Sequence, residues 1–250
     1  MPEAFKDHFS GHSDTYATYR PRYPAALGDF LATCGAGNSL VLECGCGSGQ
    51  LTGLLAAHFD RIVATDASEQ QIAQTTPRPK VEYRVAPAEQ PELDDASADL
   101  IVVAQAIHWF DLDAFYEEVR RVARPGAALA LISYGNMYVD SEIDPLIATF
   151  YHGDTKDYWP AERSLVEGRY KSLPFPFPEV EPPKMALEAD WNLDQCLGYI
   201  GTWSAVRRYL EATGEDPMPA FAKTMAAVWD PPATSRLVSW PLTLRVGRIA

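Results

Sequence analysis

Between Ser39 and Ala67 the sequence changes period twice around a run of glycines, and few folds accept that change. SLVLEC (39–44) is a short apolar run that stops at glycines, which fits a buried strand. Gln50–Phe59 then places Leu51, Leu54, Leu55 and His58 at helical spacing. RIVATDA (61–67) returns to strand character. Strand, tight turn, helix, strand is a βαβ unit, and such units build parallel sheets.

The alternation continues downstream. Ser68, with Gln71 three residues on, has the spacing of a helix N-cap. KVEYRV (80–85) alternates like a strand, and DLIVVAQA (99–106) is a third buried apolar run. Asp111–Arg124 is the clearest helix. Leu112, Phe115, Val119 and Val122 share one face, Glu117 stands four residues before Arg121, and Pro125-Gly126 should end it. Ala127–Ser133 reads as another strand. The expected fold is α/β, Rossmann-like, with a mostly parallel sheet and helices on both faces. Ligands of such sheets bind at the carboxyl ends of the strands, where the strand order reverses.

After Gly135 the pattern breaks. Residues 136–183 are rich in Pro, Tyr and Phe and end in SLPFPFPEVEPP, which predicts an inserted cover. Met185, Leu187, Ala189 and Trp191 alternate as a strand, and Asp194–Thr213 is predicted helical. Val238, Trp240, Leu242, Leu244 and Val246 alternate again, with Pro241 demanding an edge, a bulge or a break.

Composition removes several classes of function. The 250 residues, 47% hydrophobic and 22% charged, suffice for a core without disulfides. The net charge of −13 opposes a nucleic-acid partner, and the densest basic cluster, Arg120, Arg121 and Arg124, sits beside acids. No apolar stretch approaches the roughly 18 residues of a membrane span, and no secretory signal is visible. Cys34, Cys44, Cys46 and Cys196 form no C-x-x-C pair, so reduced thiols, a cytoplasmic location and no metal site are expected.

ECGCGSG (43–49) joins the first strand to its helix. Its glycines allow a tight turn and close approach of a ligand to backbone N–H groups at a helix start. The dinucleotide fingerprint needs a further glycine at position 50, where Gln50 stands. Asp66 ends the second strand, at the place where an acid accepts both ribose hydroxyls in nucleotide-binding folds. Loop and acid together predict an adenosine-type ligand.

These residues resemble a known family. VLECGCGSGQLT is similar to the first motif of class I S-adenosylmethionine-dependent methyltransferases. The stretch APAEQPELDDASADLIVVAQAIHWFD (86–111), with its HWF after the fourth strand, resembles the methyltransferase type 11 group and its trans-aconitate methyltransferase-like branch. YATYRPRYP and GYIGTWSAVRRYL look like the same branch. The resemblance implies one methyltransferase domain over residues 1–250. It divides into N-terminal cover helices (1–35), a cofactor-binding core (36–135), the inserted cover (136–183) and the C-terminal part of a seven-stranded sheet with one antiparallel strand (184–250). It implies S-adenosylmethionine as cofactor and a small-molecule acceptor. Glu43, Gly45, Gly47 and Gly49 would lie against the aminocarboxypropyl part of the donor, Asp66 on the ribose and Ala67 beside adenine. Ala88 and Glu89 would contact the adenine edge, and Gln105 would face the methionine portion. Pro87 stands where relatives often carry Asp.

Methyl transfer from a sulfonium is an in-line displacement in which alignment contributes about 7–11 kcal/mol. A carboxylate acceptor is already ionised near neutral pH, whereas a phenol would benefit from a base worth roughly 10²–10⁴-fold. His108 is the candidate base; orienting its loop is the other role open to it. Tyr16, Arg20 and Tyr23 belong to a segment positioned to fold over the donor, and Arg20 has the fork geometry for a carboxylate. Arg207 and Arg208, near Trp203, are a second option for that contact. Trp109 is either packing or a wall of the acceptor pocket. The expected reaction is O-methylation of a small carboxylate. A nucleotide-dependent oxidoreductase and a non-catalytic binding protein are the competing readings.

Overall fold

The computed structural model describes residues 20–249. The elements of the first half are α1 (Ala25–Cys34), β1 (Leu40–Cys44), α2 (Gln50–Leu55), β2 (Arg61–Asp66), α3 (Glu69–Ala73), β3 (Val81–Val85), β4 (Ala98–Ala104), α4 (Leu112–Val122) and β5 (Ala123–Tyr134). The second half holds α5 (Asp144–Thr149), α6 (Arg163–Glu167), β6 (Glu179–Val180), β7 (Ala186–Trp191), α7 (Leu193–Gly201), α8 (Ser204–Thr213), α9 (Met218–Ala226) and β8 (Arg236–Arg248). Among the described residues no helix is long and apolar enough to cross a membrane.

The sheet runs β3-β2-β1-β4-β5-β8, with β6 and β7 both on the outer edge of β8. β3, β2, β1, β4 and β5 are parallel, and β8 alone runs against them. Seven positions across the sheet are therefore filled by eight segments. The last residues of the expected cover, Glu179–Val180, belong to the sheet instead, because they pair with Val246 and Gly247.

Every residue of β1 is buried, which only a strand covered on both faces requires. Alternate residues feed two separate cores. Val41, Ile62, Leu100 and Ala130 face α1 and α2, while Leu42, Val63, Ile101 and Leu129 face α4. The segment after Gly135 contributes to both. Residues 143–151 pack on the first face, and residues 166–177 pack on the second. Residues 152–165 therefore pass from one side of the sheet to the other.

Several local expectations change. Helix α4 stops at Val122 rather than Arg124, because Ala123 is already extended and pairs with Ala98. Glu117 is not the partner of Arg121; Glu118 and Asp95 are, at 2.6 Å and 2.5 Å. Asp95 approaches from the loop before β4 and draws the guanidinium to that side. Asp194–Thr213 is two helices broken at Thr202-Trp203, the first started by a capping box between Asn192 and Gln195. Pro241 causes no break in β8. Leu242 N donates to Met185 O, and Ser239 exchanges bonds with Tyr138 on the other side. By alternation the nitrogen of Pro241 faces the gap between Tyr134 and Tyr138, where β5 has ended and no ladder bond is lost.

Candidate active site

The glycine loop is shaped by three left-handed residues, Gly45, Gly47 and Gly49 (φ +66°, +55° and +84°). A Cβ at Gly45 would lie 2.4 Å from the Cβ of Ala106, so the loop packs directly on the turn after β4. A Cβ at Gly49 would strike the Tyr83 hydroxyl at 2.9 Å. Beside Gly47 the space is open; a Cβ there would have only Gln71 Oε1 within 4 Å, at 3.6 Å. The loop leaves room for a ligand at the middle glycine and is closed at the other two.

Asp66 fastens this arrangement. Its carboxylate accepts from Gly47 N at 2.9 Å and from Ser68 N at 2.8 Å. Ser68 then caps α3 by accepting from Gln71 N, as its spacing predicted. Glu43 is not part of an open surface. It is 1% exposed, and Thr52 Oγ1 donates to its Oε2 at 2.6 Å. Burial raises its pKa to about 8, with Asp66 adding to the rise and the Thr52 bond opposing it.

Ala67 and Glu89 are half-buried, and Ala88 is buried. Glu89 accepts from Asp111 N at 2.8 Å, which ties the loop after β3 to the start of α4. Gln105 has a left-handed backbone (φ +57°). Such a conformation costs a non-glycine residue about 1–2 kcal/mol and persists only where surroundings impose it. Here β5 imposes it. Gln105 N donates to Ile132 O at 2.9 Å and its Nε2 to Tyr134 O at 2.8 Å. The loop, Asp66 and Gln105 thus meet at the carboxyl ends of β1, β2 and β4.

A second group meets at the ends of β4 and β5. Arg20 Nη1 donates to the Tyr134 hydroxyl at 3.1 Å, and its guanidinium lies 5.7 Å from the Tyr199 ring centroid. Tyr23 packs edge-on against Tyr134, and Tyr199 edge-on against Trp203. Trp203 continues the wall through Phe150, Tyr151 and Trp159. Arg20, Tyr23 and Trp203 are therefore brought together, while Tyr16 lies outside the described residues. Arg207 faces Glu211 at 3.6 Å on α8.

His108 sits in the short turn Ile107–Trp109, its ring tilted 47° to that of Trp109 with centroids 4.9 Å apart, and its Nδ1 2.9 Å from the Tyr170 hydroxyl. Burial first, and the charge of Arg163 second, depress its pKa to about 4. Arg163 Nε donates to the Tyr151 hydroxyl at 2.7 Å. Tyr134, Tyr151, Trp159, Arg163, Tyr170 and Tyr199 complete this wall, and none was singled out from the sequence. The one signal for three of them, Tyr151, Trp159 and Tyr170, was the aromatic richness of the cover.

Comparison with known proteins identifies the family. A family model described as a methyltransferase domain matches residues 42–131. A protein of Dictyostelium discoideum named as a methyltransferase is 31% identical over 228 residues, 90% of this chain and 87% of that one. A solved structure from Anaeromyxobacter dehalogenans, described as a type II methyltransferase, superposes with a TM-score of 0.88 and 48% identity, covering 92% of this chain and 98% of that one. A Saccharomyces cerevisiae protein named as an S-adenosylmethionine-dependent methyltransferase is 26% identical over 168 residues, 63% of this chain and 57% of that one.

Proposed function

Given that the chain belongs to the class I S-adenosylmethionine-dependent methyltransferases, we propose that it methylates a carboxylate oxygen of a small molecule. The cofactor, when bound, supplies a methyl group already activated by the positive sulfur. The open space beside Gly47, with Asp66 at its edge, is the feature that fits it. In this reading the glycine loop receives the amino-acid end, Asp66 takes the ribose hydroxyls, Ala67, Ala88 and Glu89 border the adenine, and Gln105 faces the methionine portion. Buried Glu43 acts on the loop by holding α2 to β1 through Thr52.

The observation that carries the choice of acceptor is that His108 is held by the Tyr170 hydroxyl at 2.9 Å in surroundings whose burial lowers its pKa to about 4. A general base works best when its pKa is near the working pH. His108 is far below that, so it is poorly matched to a phenol or an ammonium. An acid that arrives ionised needs no proton removed. His108 then orients the loop through Tyr170, and Trp109 and Trp203 wall the acceptor. Arg20 is seated on Tyr134 and Tyr199 beside this wall. The remaining task is alignment and exclusion of water, which the aromatic wall serves.

The test is a labelled-methyl screen of small acids, phenols and amines with the purified protein and labelled S-adenosylmethionine. The expected product carries label that alkali releases, as from a methyl ester. Alkali-stable label found only in amines or phenols overturns the carboxylate assignment and leaves the family assignment intact.

A further inference from the structure

Arg163 stands where residues 152–165 pass between the two faces of the sheet, close enough to His108, Tyr170 and Tyr199 for its charge to act on all three. We infer that Arg163 binds an anionic group of the methyl acceptor at the ends of β4 and β5. This deepens the carboxylate reading above and rests on it for the reaction, though not for the binding.

Its hydrogen-bond partners are neutral. Nε donates to the Tyr151 hydroxyl at 2.7 Å and Nη2 to Asn136 Oδ1 at 3.2 Å. The guanidinium lies 5.6 Å from the Tyr151 ring centroid and 5.0 Å from that of Trp159. These contacts hold the group in place without cancelling its charge. The chain has 34 acidic side chains against 21 basic ones. Arg61, Arg84, Arg121, Arg124, Arg236 and Arg245 each pair with a carboxylate. Among the described residues no carboxylate lies within ion-pair distance of Arg163. Glu167 reaches it only through the Tyr151 hydroxyl, and the field of Glu162 falls on His108.

A guanidinium has five N–H donors, and two of these are engaged, so three remain. A half-buried positive group held by neutral partners in a chain with surplus acid is an incomplete ion pair. The group that completes it is a planar anion, which a guanidinium grips with two parallel bonds. There is room nearby. Nothing lies within 4 Å of where a Cβ on Gly135 would stand, and Asn136, which accepts from Arg163, also lines a cavity of about 400 Å³ together with Gly135, Glu167 and Arg169.

The Arg163 guanidinium lies over Trp159, so occupancy is read as the change in tryptophan emission that Trp159→Phe removes. The full-length protein, saturated with S-adenosylhomocysteine, is titrated with hexanoate and succinate, and with their methyl esters as neutral matches. Wild type should bind an acid and not its ester. Arg163→Gln should weaken acid binding at least tenfold, and Arg163→Lys should recover only part of it. Asn136→Ala, which keeps the charge and loosens its bracket, should weaken binding about threefold. Arg61→Gln, an ion-paired arginine at the far end of β2, should change nothing. S-adenosylhomocysteine affinity should be the same throughout. Acid binding unchanged in Arg163→Gln, a parallel loss of S-adenosylhomocysteine affinity, or wild type that binds neither acid overturns the inference. An acid that binds through Arg163 but gains no methyl label overturns only the carboxylate reaction. An acid methylated by Arg163→Gln with wild-type KM overturns only the role of Arg163.

Discussion

The glycine loop and the aromatic wall lie at the ends of the same sheet, the first over β1 and β2, the second over β4 and β5. Their construction differs. The side-chain hydrogen bonds of the loop come from near neighbours: Asp66 holds Gly47 from 19 residues away, and Thr52 holds Glu43 from nine. The wall is tied across the chain: His108 meets Tyr170 over 62 residues, and Arg20 meets Tyr134 over 114. Close backbone approach shapes the loop, so added atoms are not tolerated there. Side-chain stacking shapes the wall, so single changes there should alter affinity before they alter the fold.

The sharpest test of that contrast is Gly45→Val. Its Cβ would meet the Ala106 Cβ at 2.4 Å on a left-handed backbone, so a loss of more than about 3 kcal/mol in urea unfolding is expected. A loss below about 1 kcal/mol would mean that the loop yields easily.

Glu43 provides the next effect. Its folded pKa is about 8 against an ordinary value of 4.5, so the protonated form is favoured by folding. That stabilisation is complete below about pH 4.5 and disappears as pH rises through 8, on the order of a few kcal/mol. Wild-type Tm should therefore fall between about pH 5 and 8.5, and Glu43→Gln should flatten the fall. Parallel slopes for the two proteins would contradict a buried, protonated Glu43.

Asp66→Ala removes the acceptor of Gly47 N and Ser68 N, and with it the hydroxyl acceptor assigned to the ribose. Bonds to a charged group contribute about 1.5–3 kcal/mol, so calorimetry should show S-adenosylmethionine binding about 10- to 100-fold weaker. Affinity within a factor of about two of wild type would remove Asp66 from the donor site.

On the wall, His108→Ala should lower kcat by less than about tenfold with an acid acceptor, since a base of pKa about 4 contributes little at neutral pH. A loss of two decades would return His108 to the role of base. The smallest effect is expected for Gly135→Ala, where nothing lies within 4 Å of the new carbon; stability should stay within about 0.5 kcal/mol.

The two regions also differ in how far they could be read in advance. β1, its glycine turn, the start of α2 and β2 were legible because strand, turn and helix there depend on consecutive residues, although α2 ends at Leu55 rather than Phe59. The Ser68 cap was legible for the same reason. The partner of Arg121 was not, because Asp95 competes from another loop with the nearer Glu117. Nor was the left-handed Gln105, since nothing in a glutamine asks for that backbone; two bonds from β5 impose it. Pro241 was read correctly as a problem, but its solution lay in where β5 ends.

The order of residues alone determined the parallel α/β sheet, the glycine loop after its first strand and the acid at the end of the second, because period, φ preference and strand-end position are local properties. Only the tertiary structure decided that Glu43 is buried, that His108 is a weak base, and that Arg163 stands among neutral partners at the strand ends. Burial and the field of a distant charge are set by segments that meet after tens of residues of intervening chain, and no spacing along the sequence encodes that meeting.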